Sequence, residues 1–86
     1  MSEPKLSADR ALEAVISEAQ VIFGDAVVNP DDNFFAAGGT SLDAVELAER
    51  LQAVHGLDVS LDYIFSARDM RDIAEAALLI SHEAGS

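Results

Sequence analysis

Ser41 has the setting in this chain that points most directly to chemistry. It follows Gly38-Gly39-Thr40 and opens a segment of helical periodicity, so it stands where the first backbone N–H groups of a helix have no intrahelical partner. A hydroxyl there can cap the helix. An anion attached to it is favoured by those N–H groups and by the positive end of the helix dipole. The two glycines leave the preceding backbone without side chains, which lets another macromolecule come close. Ser41 therefore reads as a point of attachment for a phosphate-linked group, at the end of a loop that begins with Asp31-Asp32-Asn33.

Other chemistries fail on their residues. Gly39-Thr40-Ser41-Leu42-Asp43 lacks the second glycine of a nucleophile elbow, and no strand pattern precedes it. The histidines are His55, at the far end of the same helical segment, and His82 near the C-terminus. Neither has an evident route to Ser41, so a Ser–His pair is not expected. His55 is accounted for by its place at a helix C-terminus, where positive charge is favourable. As a calcium loop read from Asp31, the fifth position is Phe35, the sixth Ala36 and the twelfth Leu42. The glycine and the bidentate glutamate of that geometry are both missing. There is no phosphate-binding loop with its lysine, and no Cys or His ligand cluster. Catalytic residues and a metal site are not expected.

The elements that must position Ser41 are legible from apolar spacing. Ser7 is a candidate N-cap, with Asp9 in the first turn. Leu12, Val15, Ile16, Ala19, Ile22 and Phe23 then recur at helical intervals up to Gly24. Residues 25–40 form a long loop punctuated by Asn29-Pro30 and Gly38-Gly39, with Val27, Val28, Phe34 and Phe35 available to pin it to a core. The second helix should run from Ser41 to about His55 and stop at Gly56. Its core stripe is Ala44, Leu47, Ala48, Leu51 and Val54. After a connector at 57–60, a short helix over 61–66 should bury Leu61, Ile64 and Phe65. Asp69 should cap a last helix, with Met70, Ile73, Ala74, Ala77 and Ile80 facing inward and residues 84–86 fraying. The expected architecture is all-α: a small bundle of three main helices and one short helix, with the long loop between the first and second. Residues 1–86 should form one domain, ordered over about 7–83.

Bulk properties narrow the class. A chain of 86 residues without Cys buries only about 60–65% of its unfolded surface and must rely on helix packing. Half of its residues are hydrophobic, which with their periodicity argues against disorder. No signal-like or membrane-spanning run is present, so a soluble cytoplasmic protein is expected. The net charge is −11, and no Lys or Arg lies between Arg10 and Arg50. Glu13, Glu18, Asp25, Asp31, Asp32, Asp43, Glu46 and Glu49 occupy that interval. Such a field disfavours nucleic acid and anionic membranes and draws basic protein surfaces, although acidity also serves solubility.

The run Asp32-Asn33-Phe34-Phe35-Ala36-Ala37-Gly38-Gly39-Thr40-Ser41-Leu42 resembles the attachment motif of peptidyl carrier proteins of nonribosomal peptide synthetases, within the acyl carrier superfamily. The resemblance extends over nearly the whole helix pattern. It implies a small helical bundle whose serine, here Ser41, receives 4′-phosphopantetheine from coenzyme A through a phosphopantetheinyl transferase. The thiol of that arm would hold aminoacyl, peptidyl or acyl groups as thioesters. The motif residues carried over are Asp32, Gly38, Gly39 and Leu42, with the family's aromatic at Phe34 or Phe35. Thr40 stands where many carriers have Asp or His, and its expected role is capping.

Leu42 and Val45 lie off the core stripe, beside Glu46 and Glu49. Either the loop folds over them, or they are apolar anchors in an acidic rim that a basic partner would read. The implied partners are the transferase, an adenylating or acylating loading enzyme, and downstream condensing or tailoring enzymes, met by a monomeric, non-catalytic carrier. Met1 and the polar lead-in suggest a freestanding carrier. The run Ser41-Leu42-Asp43-Ala44-Val45-Glu46-Leu47 also resembles the acidic helix of fatty-acid and polyketide acyl carriers, which keeps an acyl carrier as an alternative. An unmodified acidic adaptor is the alternative of another class.

Overall fold

The first helix, α1 (Ala8–Ile22), carries Asp9 in its opening turn, where negative charge suits the helix dipole. It is followed by α2 (Ser41–His55), α3 (Leu61–Ser66) and α4 (Met70–Gly85). The computed structural model describes residues 8–85. Expectations for Ser7, for the side chains of Ile80 and His82, for the limits of the ordered core and for Ser86 fall outside what is described; Ala84 and Gly85, expected to fray, lie within α4. Helices and connecting turns make up the described chain, as the apolar spacing implies. The helices close into a ring: α1 packs on α2 and α4, and α3 packs on the same two. No described helix is long and apolar enough to cross a membrane.

The core-facing side of α1 is rotated from the expected stripe. Ala11, Ala14, Val15 and Ala19 are buried, while Leu12, Ile16, Ile22 and Phe23 pack at the margin. On α4 the buried set includes Ala74, Ala76 and Ala77 beside Met70 and Ile73. Small residues on both helices let their axes approach, and the larger side chains flank the contact.

Asp69 caps α4, its Oδ1 accepting the Asp72 N–H at 3.0 Å, as its position before the apolar repeat implies. Ser60 caps α3 in the same way, accepting from Tyr63. At the end of α2, Gly56 takes a left-handed conformation (φ 69°). The Leu57 N–H then bonds back to the Leu51 carbonyl at 3.0 Å, which folds Leu57 onto the last core turn.

Four expectations of the sequence are corrected. Val54, placed in the core stripe, is 60% exposed; the reversal at Gly56 delivers Leu57 to the core instead. Val27 is 81% exposed while its neighbour Val28 is buried, so one valine and not two pins the loop. Phe65 is half exposed and stacks on Phe35 at 5.6 Å between ring centroids, at the margin of the core. Glu18, counted among the acids of the surface field, is buried on α1. Its carboxylate receives Arg50 Nε at 2.7 Å and meets His55 Nε2 at 2.9 Å. Burial alone pushes this carboxyl up. The hydrogen bonds and charges of Arg50 and His55 outweigh that and hold it below its ordinary value.

Candidate functional site

Thr40 adopts an extended conformation ahead of α2, and its Oγ1 accepts the Asp43 N–H at 3.1 Å. The Asp43 carboxylate returns the contact, accepting the Thr40 N–H at 3.0 Å. This reciprocal pair is a capping box, built with Asp where Glu or Gln is usual. Its consequence for Ser41 is direct. Thr40 does the capping, so Ser41 is the first helical residue, and its exposed side chain has no hydrogen-bond partner among the described residues.

The loop that delivers Ser41 is shaped by Asn33. Its Oδ1 accepts the N–H groups of Phe35 and Ala36 at 3.0 and 2.9 Å. The Ala37 N–H bonds the Asn33 carbonyl, Gly38 bonds that of Phe35 and Gly39 that of Phe34. The same Asn33 side chain donates from Nδ2 to the carbonyls of Ala67 and Arg68, between α3 and α4. Two neighbours fasten the loop there as well: the Asp32 carbonyl accepts the Met70 N–H at 3.1 Å, and Asp31 pairs with Arg71 at 3.2 Å. The Asp32 carboxylate accepts the Asn29 N–H at 2.8 Å and so turns the chain at its entry.

Of the two adjacent aromatics, Phe34 is the one that packs inward, at 1% exposure. Its ring lies 5.2 Å from Phe23 and 5.3 Å from Phe35, which continues to Phe65. All four phenylalanines of the chain thus form one row from the end of α1 through the loop to α3. Gly39 makes room for this row: a Cβ there would stand 2.5 Å from Phe34 Cε2. Its missing side chain serves the interior and not an approaching partner, which differs from the reading of the glycine pair in the sequence. Gly38, with φ +119° and open space around it, is the one that faces outward.

Leu42 and Val45 are 80% and 36% exposed, and Glu46 and Glu49 are exposed with them. The loop does not fold over this face. Ser41, Leu42, Val45, Glu46 and Glu49 therefore share the open side of α2, while Ala44, Leu47 and Leu51 face the core. His55 closes the same helix about 20 Å from Ser41 at the α-helical rise, committed to Glu18. The Asp43 carboxylate beside Ser41 is occupied by the cap. The arrangement offers an accessible hydroxyl at the positive end of a helix, with no described base hydrogen-bonded to it, and suits acceptance of a phosphate-linked group.

Asn33 and the Glu18–Arg50–His55 cluster were not singled out by sequence. The preference of Asn for turns hints at half of the Asn33 role. Its bonds to residues 34 and 35 positions away leave no local signal.

The family model described as "Phosphopantetheine attachment site" matches residues 10–77. Among curated proteins, the chain is 33% identical over 75 residues to phosphinothricin tripeptide synthetase PhsB of Streptomyces viridochromogenes, covering 87% of this chain and 6% of that protein. It is 32% identical over 73 residues to hybrid PKS-NRPS synthetase 1 of Dothistroma septosporum, covering 83% of this chain and 2% of that protein. It is 40% identical over 52 residues to fusarin C synthetase of Gibberella moniliformis, covering 60% of this chain and 1% of that protein. The chain thus spans a small fraction of the length of these relatives. No solved structure matches it significantly. The matched residues take in the loop, the Thr40 cap and the serine-led helix, and on that ground the chain belongs to the phosphopantetheine-attachment family of carrier domains, whose members bear a 4′-phosphopantetheine group.

Proposed function

We propose that Ser41 is the residue that bears the 4′-phosphopantetheine, and that the chain works as a single non-catalytic carrier domain handing aminoacyl or peptidyl groups between enzymes. The observation that carries this is the division of labour at the start of α2. Thr40 and Asp43 satisfy the cap between them, and the exposed Ser41 hydroxyl is left for modification. The N–H groups of the first turn lie where a phosphodiester on Ser41 is electrostatically favoured. No described base is hydrogen-bonded to Ser41, and in this reading the transferase supplies the base and metal of phosphoryl transfer. The arm supplies thioester chemistry at its thiol, and tethering raises the effective concentration of the cargo to the order of millimolar.

Leu42 and Val45 are the apolar anchors of the partner surface, and Glu46 and Glu49 form its charged rim. A patch of this size suits partners that must bind and leave in turn, the rim charges chiefly speeding association. The partners are the transferase, the enzyme that loads the thiol, and the condensing or tailoring enzymes that follow. The exposed acids of α2 also support a second reading, an acyl carrier of polyketide or fatty-acid type. Loading by an amino-acid-adenylating enzyme, as against an acyltransferase, separates the two.

The test is intact mass after incubation with coenzyme A and a promiscuous phosphopantetheinyl transferase. The wild-type chain gains one phosphopantetheinyl group, and Ser41→Ala gains none while keeping wild-type far-UV circular dichroism. A wild-type chain that stays unmodified would favour the acidic adaptor.

A further inference from the structure

We infer that Asn33 is the positioning residue that sets the loop face beside Ser41 for the modifying enzyme, an inference that rests on Ser41 being the attachment point. The Asn33 side chain uses its full hydrogen-bonding capacity, two acceptances at Oδ1 and two donations from Nδ2. The oxygen shapes the turn that ends in Gly38-Gly39, and the amide nitrogen fastens that turn to the α3–α4 junction. Downstream, Thr40 and Asp43 fix Ser41 to α2 through bonds that do not involve Asn33. The segment between Asn33 and Ser41 therefore runs between two anchors, the α3–α4 junction held by Asn33 and the capping box at the start of α2. Its exposed residues Ala36, Ala37 and Gly38 lie three to five positions before Ser41, on loop surface open to an enzyme that reaches the hydroxyl.

Asn33→Asp separates the two halves of the role. A carboxylate keeps the acceptances from Phe35 and Ala36 but opposes the carbonyls of Ala67 and Arg68 with negative charge. The loop then spends only part of its time in the arrangement the transferase binds, and apparent affinity falls by that fraction. The capping box is untouched, so Ser41 keeps its place on α2.

The experiment is steady-state phosphopantetheinylation with the carrier as the varied substrate, paired with hydrogen exchange of backbone amides. For a loop competent about one tenth of the time, Asn33→Asp should raise KM for the carrier about tenfold, with kcat within about twofold of wild type. Exchange at Gly39 and at Met70, whose N–H bonds the Asp32 carbonyl across the same junction, should accelerate by about tenfold or more while the amides of α1 and α2 exchange as in wild type. If Asn33→Asp does not fold, Asn33→Ser, which keeps an acceptor without the charge, carries the same expectation. Val15→Ala, a core truncation in α1, is the control for lost stability and should leave KM unchanged. A wild-type KM in the Asn33 variant, an equal rise in Val15→Ala, or exchange accelerated throughout the chain would overturn the proposal. A wild-type chain without label on Ser41 would overturn the attachment reading and this inference with it, whereas normal labelling of the Asn33 variant sinks the inference alone.

Discussion

A methyl group on Gly39 would lie 2.5 Å from Cε2 of Phe34 and 2.8 Å from the Phe34 carbonyl oxygen. Neither neighbour can withdraw easily: the ring is 1% exposed, and the carbonyl already accepts the Gly39 N–H at 3.0 Å. Gly39→Ala should therefore cost about 1–3 kcal/mol as an overpacking change. At this chain length that lowers the thermal midpoint by about 4–8 °C per kcal/mol, which a melting curve by circular dichroism reads. An unchanged midpoint would mean that Phe34 has another place to go. At this scale the sequence was informative wherever the signal is local. Thr40 as cap and Ser41 as first helical residue follow from neighbouring positions. The choice between Phe34 and Phe35 does not, because adjacent residues of one type look alike until the Phe34 ring is seen packed against Gly39. Asn33 was passed over for the same reason, since half of its bonds reach to Ala67 and Arg68.

The helix α2 has two faces with different jobs. Leu47 and Leu51 are fully buried, and Leu42 is 80% exposed. Leu47→Ala should cost about 2–5 kcal/mol through lost packing and the cavity left behind. Leu42→Ala should change stability by no more than about 0.5 kcal/mol, as an exposed substitution does. The reverse order should hold for partner reactions. Leu42→Ala, and Val45→Glu beside it, should lower kcat/KM for loading of the modified carrier while the melting curve stays near wild type. Equal losses of stability would place Leu42 and Val45 in the core. The limits of α2 were readable because both ends carry chemical punctuation, Thr40 at one and Gly56 at the other. Val54 was misplaced because periodicity carries no information about where the chain turns back, and Leu57 arrives by that turn.

Across the whole molecule, the acidic composition hides one acid that works inside. Glu18 joins α1 to α2 through Arg50 and His55, groups 32 and 37 positions away, so its burial left no mark in the local sequence. Its folded ionisation lies below the unfolded one. The stability it contributes is thus complete above about pH 4.3, the ordinary glutamate value. That stability is lost as pH falls through the lowered folded value. Glu18→Gln should be less stable than wild type by about 1–3 kcal/mol at pH 7. The two midpoints should converge once the pH has fallen through that lowered value, where the wild-type carboxyl also becomes neutral. A difference that persists unchanged into acid would mean that packing, and not charge, accounts for Glu18. Of the other acids between Arg10 and Arg50, Asp32 and Asp43 are half-buried and the rest, Glu46 and Glu49 among them, are exposed, so the field read from that interval survives with one member removed.

Locating the phosphodiester along the chain decides whether Ser41 is the attachment point. Trypsin cuts after Arg10 and Arg50 and nowhere between, so one peptide holds both Thr40 and Ser41, and fragmentation of that peptide after treatment with coenzyme A and transferase assigns the modified hydroxyl. The group is expected on Ser41 alone, with Thr40 unmodified; a group found on Thr40 or on any other residue would rule out Ser41 as the attachment point.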